Sequence, residues 1–109
     1  MIESAREATS FLKALANENR LLILCHLADG EKSVTELEHL LGIRQPTLSQ
    51  QLARLRAENF VVTRREAKTI YYALASEEVI LLIQLLYKLF CERANEPVIT
   101  LARELVPAE

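Results

Sequence analysis

The chain has 109 residues, of which 50% are apolar and 26% charged, and its formal net charge is −2. A chain of this length buries roughly 60–70% of the surface of its unfolded form, so a single domain can fold without a disulfide or a structural metal. No apolar run reaches the roughly 18 residues of a membrane span, and the chain does not begin with a basic segment followed by an apolar one. We therefore expect a cytoplasmic protein without a signal peptide or membrane contact, whose two cysteines are reduced thiols.

Three helices are predicted in the first part of the chain. The first spans residues 4–16, the second runs from Asn17 to about Ala28, and the third ends at Gly42. Each begins at a residue whose side-chain oxygen can accept a hydrogen bond from the first helical turn. These N-cap residues, with the glutamate that completes a capping box, are Ser4 with Glu7, Asn17, and Ser33 with Glu36. The apolar face of the first helix follows the i, i+3, i+4, i+7 spacing and comprises Ala8, Phe11, Leu12 and Leu15.

The fourth predicted helix carries the strongest functional signal. Pro46 suits its first turn, which needs no backbone donor there, and one stripe of the helix is apolar: Leu48, Leu52 and Leu55. The opposite side is polar but contains Ser, Thr and Gln rather than the Lys and Glu typical of a solvent face. Gln pairs with adenine, Arg with guanine, and Ser or Thr reaches a base or a phosphate. The residues that we predict to contact DNA, called the readout face below, are Gln45, Thr47, Ser49, Gln50 and Arg54.

A β-hairpin with a basic tip is predicted after this helix. Residues 61–63 and 69–74 are rich in β-branched and aromatic side chains, and residues 64–68 form the tip. Between residues 44 and 72 there are six basic and two acidic side chains, a net +4 that leaves −6 for the rest of the chain. Such a basic segment on an acidic body is typical of one DNA-facing surface, although charges that protect an edge strand are the alternative. The tip residues predicted to contact phosphates are Arg64, Arg65 and Lys68.

Residues 77–94 predict the longest helix, which is apolar nearly all round and which Pro97 terminates. Because a small domain cannot cover so wide an apolar surface, we expect a homodimer through the first and last long helices. The dimer would present two copies of the fourth helix to an imperfect inverted repeat of double-stranded DNA. We assign residues 1–96 to a DNA-binding and dimerisation domain and residues 97–109 to a short C-terminal extension.

The predicted fold is mainly α with a β-hairpin wing, a winged helix-turn-helix. The chain contains no nucleophile–base pair and no phosphate-binding loop, so we expect no enzymatic activity and no cofactor. A winged-helix module that binds proteins instead of DNA is the alternative from another class, and it should have lost the polar face of the fourth helix.

Three segments together resemble the ArsR/SmtB family of repressors. They are Leu15 to Leu24 (LANENRLLIL), Gln45 to Leu55 (QPTLSQQLARL) and Ile70 to Leu74 (IYYAL), and the resemblance covers residues 8–92. It implies a dimeric repressor that an inducer, often a metal ion, releases from DNA. The third helix has no Cys-x-Cys and the last helix has no histidine, so we expect no metal site.

Cys25 and Cys91 lie near the ends of the second and the last long helix, which is similar to the two-cysteine branch of that family. The wing without glycine, Arg64 to Thr69, also resembles this branch. The resemblance implies a thiol sensor in which sulfane sulfur (persulfide or polysulfide) or an oxidant joins Cys25 to Cys91 and releases the repressor. The alternative is a regulator of the same family whose cysteines are structural and whose inducer is something else.

Overall fold

The computed structural model describes residues 2–92, with side chains for residues 2–90, so the predicted extension at residues 97–109 lies outside the described residues. Apart from one additional short strand and the division of the last helix, the helices and strands follow the predicted order, mainly helical with a small antiparallel sheet. They are α1 (Ile2–Leu15), α2 (Glu18–Leu27), β1 (Lys32–Ser33), α3 (Val34–Leu41), α4 (Gln45–Ala57), β2 (Val61–Glu66), β3 (Thr69–Leu74), α5 (Glu77–Leu86) and a π-helical turn (Tyr87–Glu92).

Helix α1 begins earlier than the sequence predicts. It starts at Ile2, so Ser4 lies inside the helix and is not its N-cap. Glu3 in the first turn places a negative charge at the positive end of the helix dipole, which favours the earlier start. Of the predicted apolar face, Leu15 is buried and Phe11 packs against the core, whereas Ala8 and Leu12 are exposed.

The other predicted caps are confirmed. The side chain of Asn17 accepts a hydrogen bond from the backbone N–H of Arg20, at 3.1 Å. Ser33 and Glu36 form the reciprocal capping box of α3, with N···O distances of 3.1 and 2.9 Å. Gly42 ends α3 with φ of 67°, a left-handed conformation that favours glycine because it has no Cβ. These local signals therefore fix the two helices that precede α4.

The sheet contains a strand that was not predicted. The strand order of the sheet is β1-β3-β2, so β1 is the unpredicted strand. Tyr71 of β3 pairs with Ser33 on one side and with Arg64 on the other. Strand β1 has only two residues, too few for a pattern in the sequence. The predicted hairpin tip at residues 64–68 is wrong, because β2 runs to Glu66 and the turn contains only Ala67 and Lys68. Arg64 and Arg65 pair with residues of β3, so β2 continues past residue 63, where the run of charged residues had predicted its end.

The core lies between α2, α3, α4, α5 and the base of the hairpin. The predicted stripe of α4 is confirmed, since Leu48, Leu52 and Leu55 are at most 1% exposed. Phe11 of α1 meets Phe60 edge to face with ring centroids 5.0 Å apart, which packs α1 against the residue before β2. The other fully buried side chains of this core include Ile23, Leu24, Leu37, Val61, Val79 and Ile83.

The last helix differs from the single α-helix predicted over residues 77–94. Helix α5 ends at Leu86, and the chain continues as the π-helical turn. The sequence could not predict this change, because a helix that is apolar on all sides has no apolar stripe. Without a stripe, no period distinguishes α-helical from π-helical hydrogen bonding. Leu81, Leu85 and Phe90 are 58%, 52% and 65% exposed, so much of this surface remains uncovered in one protomer. No helix within residues 2–92 has the length and apolar content to span a membrane.

Candidate DNA-binding surface and cysteine site

The readout face of α4 is fully displayed to solvent. Burial of the leucine stripe fixes the opposite side of the helix, and all five predicted residues are exposed: Gln45, Thr47, Ser49, Gln50 and Arg54. Nε of Arg54 lies 3.7 Å from Oε1 of Glu58, one turn later. Because this ion pair is exposed, Arg54 can leave Glu58 for another partner at a small cost in free energy. This face presents donors and acceptors of the kind that read the edges of bases in the major groove.

The N-terminus of α4 is held by a carboxylate from α3. Arg44 is the N-cap residue but makes no side-chain cap hydrogen bond. Instead, the backbone N–H of Gln45 donates to Oε2 of Glu38, at 3.1 Å. Sequence reasoning missed Glu38, because no local pattern shows that a residue of one helix caps the next. The bond ties the two helices of the helix-turn-helix together at their junction.

Within the wing, the three predicted basic residues are not equivalent. Arg64 bonds the carboxylates of Glu31 and Glu66, and its guanidinium lies 4.6 Å from the centroid of the Tyr71 ring. The hydrogen bond from Arg64 lowers the pKa of Glu31, and the same two carboxylates raise the pKa of Arg64. Arg65 and Lys68 are exposed and form no ion pair with another described residue. The positive charge offered by the wing therefore comes mainly from Arg65 and Lys68.

Two predicted residues from different elements meet in one pocket. Gln45 of α4 and Lys68 of the wing turn both line a pocket of about 240 Å³, together with the N-terminal turn of α3. Thr35 is exposed in that turn and was not predicted. The N-terminus of α4 and the turn of the wing thus border the same pocket, which the apolar side chains of Val34 and Ile70 also line.

Cys25 is half-buried on α2 and faces the last helix. It lines an apolar pocket of about 250 Å³ with Leu86 and Phe90, and a second pocket of about 220 Å³ with Tyr87. The other predicted sensor residue, Cys91, belongs to the π-helical turn, but its side chain lies outside the described residues. Both Tyr87 and Phe90 belong to the same turn as Cys91, so Cys25 lies beside the segment that carries it.

A buried arginine was also missed. Arg20 is 9% exposed and donates from Nε to the carbonyl of Ala14, from Nη2 to that of Lys13 at 3.5 Å, and from Nη1 to Oε1 of Gln51 at 3.0 Å. Its spacing could have revealed it, because Ile23, Leu24 and Leu27 follow at i+3, i+4 and i+7 on the buried stripe of α2. An arginine at the first position of such a stripe indicates a buried polar contact. Within the described part of the chain, no three His, Cys, Asp or Glu residues group as metal ligands.

Comparison with known proteins gives consistent matches. Residues 17–63 match the model of bacterial regulatory proteins of the arsR family. The biofilm growth-associated repressor of Agrobacterium fabrum is 54% identical over 91 residues, which cover 84% of this chain and 78% of that protein. The transcriptional activator HlyU of Vibrio cholerae is 49% identical over 96 residues, 88% of each chain.

Solved structures show the same fold. A structure of reduced HlyU from Vibrio cholerae superposes with a TM-score of 0.80 at 49% identity, covering 84% of this chain and 96% of that one. The structure of the transcriptional repressor BigR from Xylella fastidiosa also superposes with a TM-score of 0.80, at 43% identity, covering 89% of this chain and 96% of that one.

Proposed function

Since the chain belongs to the ArsR family of bacterial transcriptional regulators, we propose that it is a homodimeric repressor that leaves its operator when Cys25 and Cys91 are joined. The exposed polar readout face of α4, whose Gln45 borders the same pocket as Lys68 of the wing, is the observation that supports DNA binding most directly. A protein-binding module would present an apolar or altered face at this position, and the face is polar. The relatives include both a repressor and a transcriptional activator, so the proposal takes from them regulation of transcription, and the exposed polar face of α4 is the argument for DNA binding.

The dimer part of the proposal rests on uncovered apolar surface. Side chains on α1 and on α5 with its π-helical turn remain exposed in one protomer: Ile2, Leu12, Leu81, Leu85, Tyr87 and Phe90. Several large apolar side chains exposed on the same helices are typical of an interaction surface. Association of two copies through these helices buries it and pairs two α4 helices for an inverted repeat.

The release step follows ordinary thiol chemistry. The thiolate of one cysteine takes a sulfur atom from a persulfide, leaving the donor as a thiol, and a second persulfide extends the chain by one more sulfur. The thiolate of the other cysteine then attacks the middle sulfur and expels hydrosulfide, which leaves a trisulfide bridge. With hydrogen peroxide the products are a disulfide and two water molecules.

The location of Cys25 supports this step because it packs beside the turn that carries Cys91. A bridge would link α2, which supports the helix-turn-helix, to the last helix. It must favour one arrangement of these elements, because an inducer shifts an equilibrium only by its differential affinity for two states. A coupling of about 1–3 kcal/mol weakens DNA binding roughly 5–150-fold.

The test combines operator binding with chemical identification of the bridge. An operator is first selected from random DNA, and anisotropy is measured before and after treatment with an organic persulfide or peroxide. We expect salt-sensitive, sequence-selective binding that is lost after persulfide, while Cys25→Ser and Cys91→Ser bind normally and are not released. Mass spectrometry separates a trisulfide from a disulfide by the mass of the inserted sulfur. Release of either single variant as in wild type contradicts the two-thiol switch, and equal binding of operator and random DNA contradicts the repressor.

A further inference from the structure

Arg20 occupies a place that an apolar residue would fill at lower cost. A buried guanidinium loses its hydration, and among the described residues it has no carboxylate partner to offset that loss. Its donors go to neutral oxygens in two other helices, the carbonyls at the end of α1 and the side-chain amide of Gln51 on α4. An arginine that joins three helices in this way sets their relative arrangement rather than simply filling the core.

The apolar stripe alone does not fix how α4 is rolled about its axis. Contacts between Leu48, Leu52, Leu55 and the core are non-directional, so they define the roll of the helix less sharply than a directional hydrogen bond does. A side chain extends about 5–6 Å from the helix axis, so a roll of about 10° moves its tip by about 1 Å. A displacement of that size removes a hydrogen bond to a base, because the donor–acceptor distance must stay near 2.7–3.2 Å.

Gln51 is placed where a directional bond limits this roll. At about 100° per residue it lies at the edge of the leucine stripe, between the core and the readout face. Its bond to Nη1 of Arg20 measures 3.0 Å, and the same guanidinium is held by α1 at its other end. The contact thus limits rotation of α4 relative to α1 and α2.

We propose that Arg20 is a positioning residue that fixes the roll of α4 through Gln51 and thereby sets the sequence specificity of DNA binding. The inference rests on the proposed DNA-binding function. Because nonspecific binding depends on phosphate contacts, it tolerates a roll that base contacts do not. Removal of the positioning contact should therefore lower the ratio of the affinity for the operator to the affinity for scrambled DNA of equal length.

The principal variant is Gln51→Leu, which removes the acceptor and keeps the size of the side chain. We expect the affinity ratio to fall about 5–150-fold, the value of one good base contact, while binding to scrambled DNA changes less than about twofold. Gln51→Glu keeps an acceptor oxygen and should give the wild-type affinity ratio. Its added negative charge should weaken binding to the operator and to the scrambled DNA by the same factor, which leaves the ratio unchanged. Gln84→Leu, the same change at an exposed site on α5, is the control and should keep the wild-type ratio.

Arg20→Lys is measured beside these variants, with circular dichroism to confirm folding. Lysine cannot reproduce the planar fork that reaches both helices, so the ratio should fall as in Gln51→Leu. A wild-type ratio in Gln51→Leu, or an equal loss in Gln51→Glu, would overturn the inference while leaving DNA binding established. A wild-type protein that does not discriminate between the two DNAs would instead overturn the proposed function.

Discussion

At the scale of single residues, the wing offers two neighbouring arginines in contrasting environments. Arg64 is neutralised locally by Glu31 and Glu66, whereas Arg65 is exposed without an ion-pair partner among the described residues. We expect Arg65→Ala to weaken binding to all DNA sequences and to lower the slope of log K against log salt by about 1. Arg64→Ala is the matched control and should reduce that slope less. Anisotropy titrations over a range of salt concentrations measure both, and equal slopes for the two variants would contradict this assignment.

At the scale of the secondary-structure elements, the junction between α3 and α4 depends on Glu38. The carboxylate replaces the missing side-chain cap of α4, so Glu38→Ala should lower the free energy of unfolding by about 0.5–2 kcal/mol. Glu38→Gln keeps an acceptor oxygen and should recover most of that loss. Urea denaturation followed by circular dichroism measures the difference. If both variants lose the same stability, the carboxylate charge rather than the hydrogen bond matters.

The elements also show which parts of the structure local sequence could predict. The capping box at Ser33 and the end of α3 at Gly42 depend on neighbours in the chain, and both were predicted correctly. The contacts of Arg20, Glu38 and Glu31 join residues that are distant in sequence or on separate elements, and no single periodic pattern contains them. The exposure of the polar face of α4 was predictable because this face lies opposite the buried leucine stripe on the same helix; its contact with DNA stays a prediction.

At the scale of the whole molecule, the uncovered apolar surface predicts a constitutive dimer that forms without inducer. Leu85 is 52% exposed on α5, so Leu85→Glu should fold as a protomer but place a charge in the interface. A buried unpaired charge costs several kcal/mol, which corresponds to a dissociation constant raised about 100-fold or more. Gln84→Glu adds the same charge at the adjacent exposed residue and tests whether charge alone has this effect. Sedimentation velocity at micromolar concentration should show a dimer for wild type, and a stable wild-type monomer would contradict the prediction.

The link between the wing and the segment before α3 has a consequence for amide hydrogen exchange. Strand β3 is bonded on both sides, by β2 and by β1, and Arg64 adds a side-chain tie to Glu31. An isolated two-stranded hairpin is marginally stable in water, but this one cannot detach without breaking the backbone ladder that leads directly into α3. Amides of Tyr71 and Tyr72 should therefore exchange in one cooperative unit with those of α3. In the proposed complex, the wing and α4 therefore approach DNA at a fixed spacing, and little conformational entropy is lost in ordering one against the other.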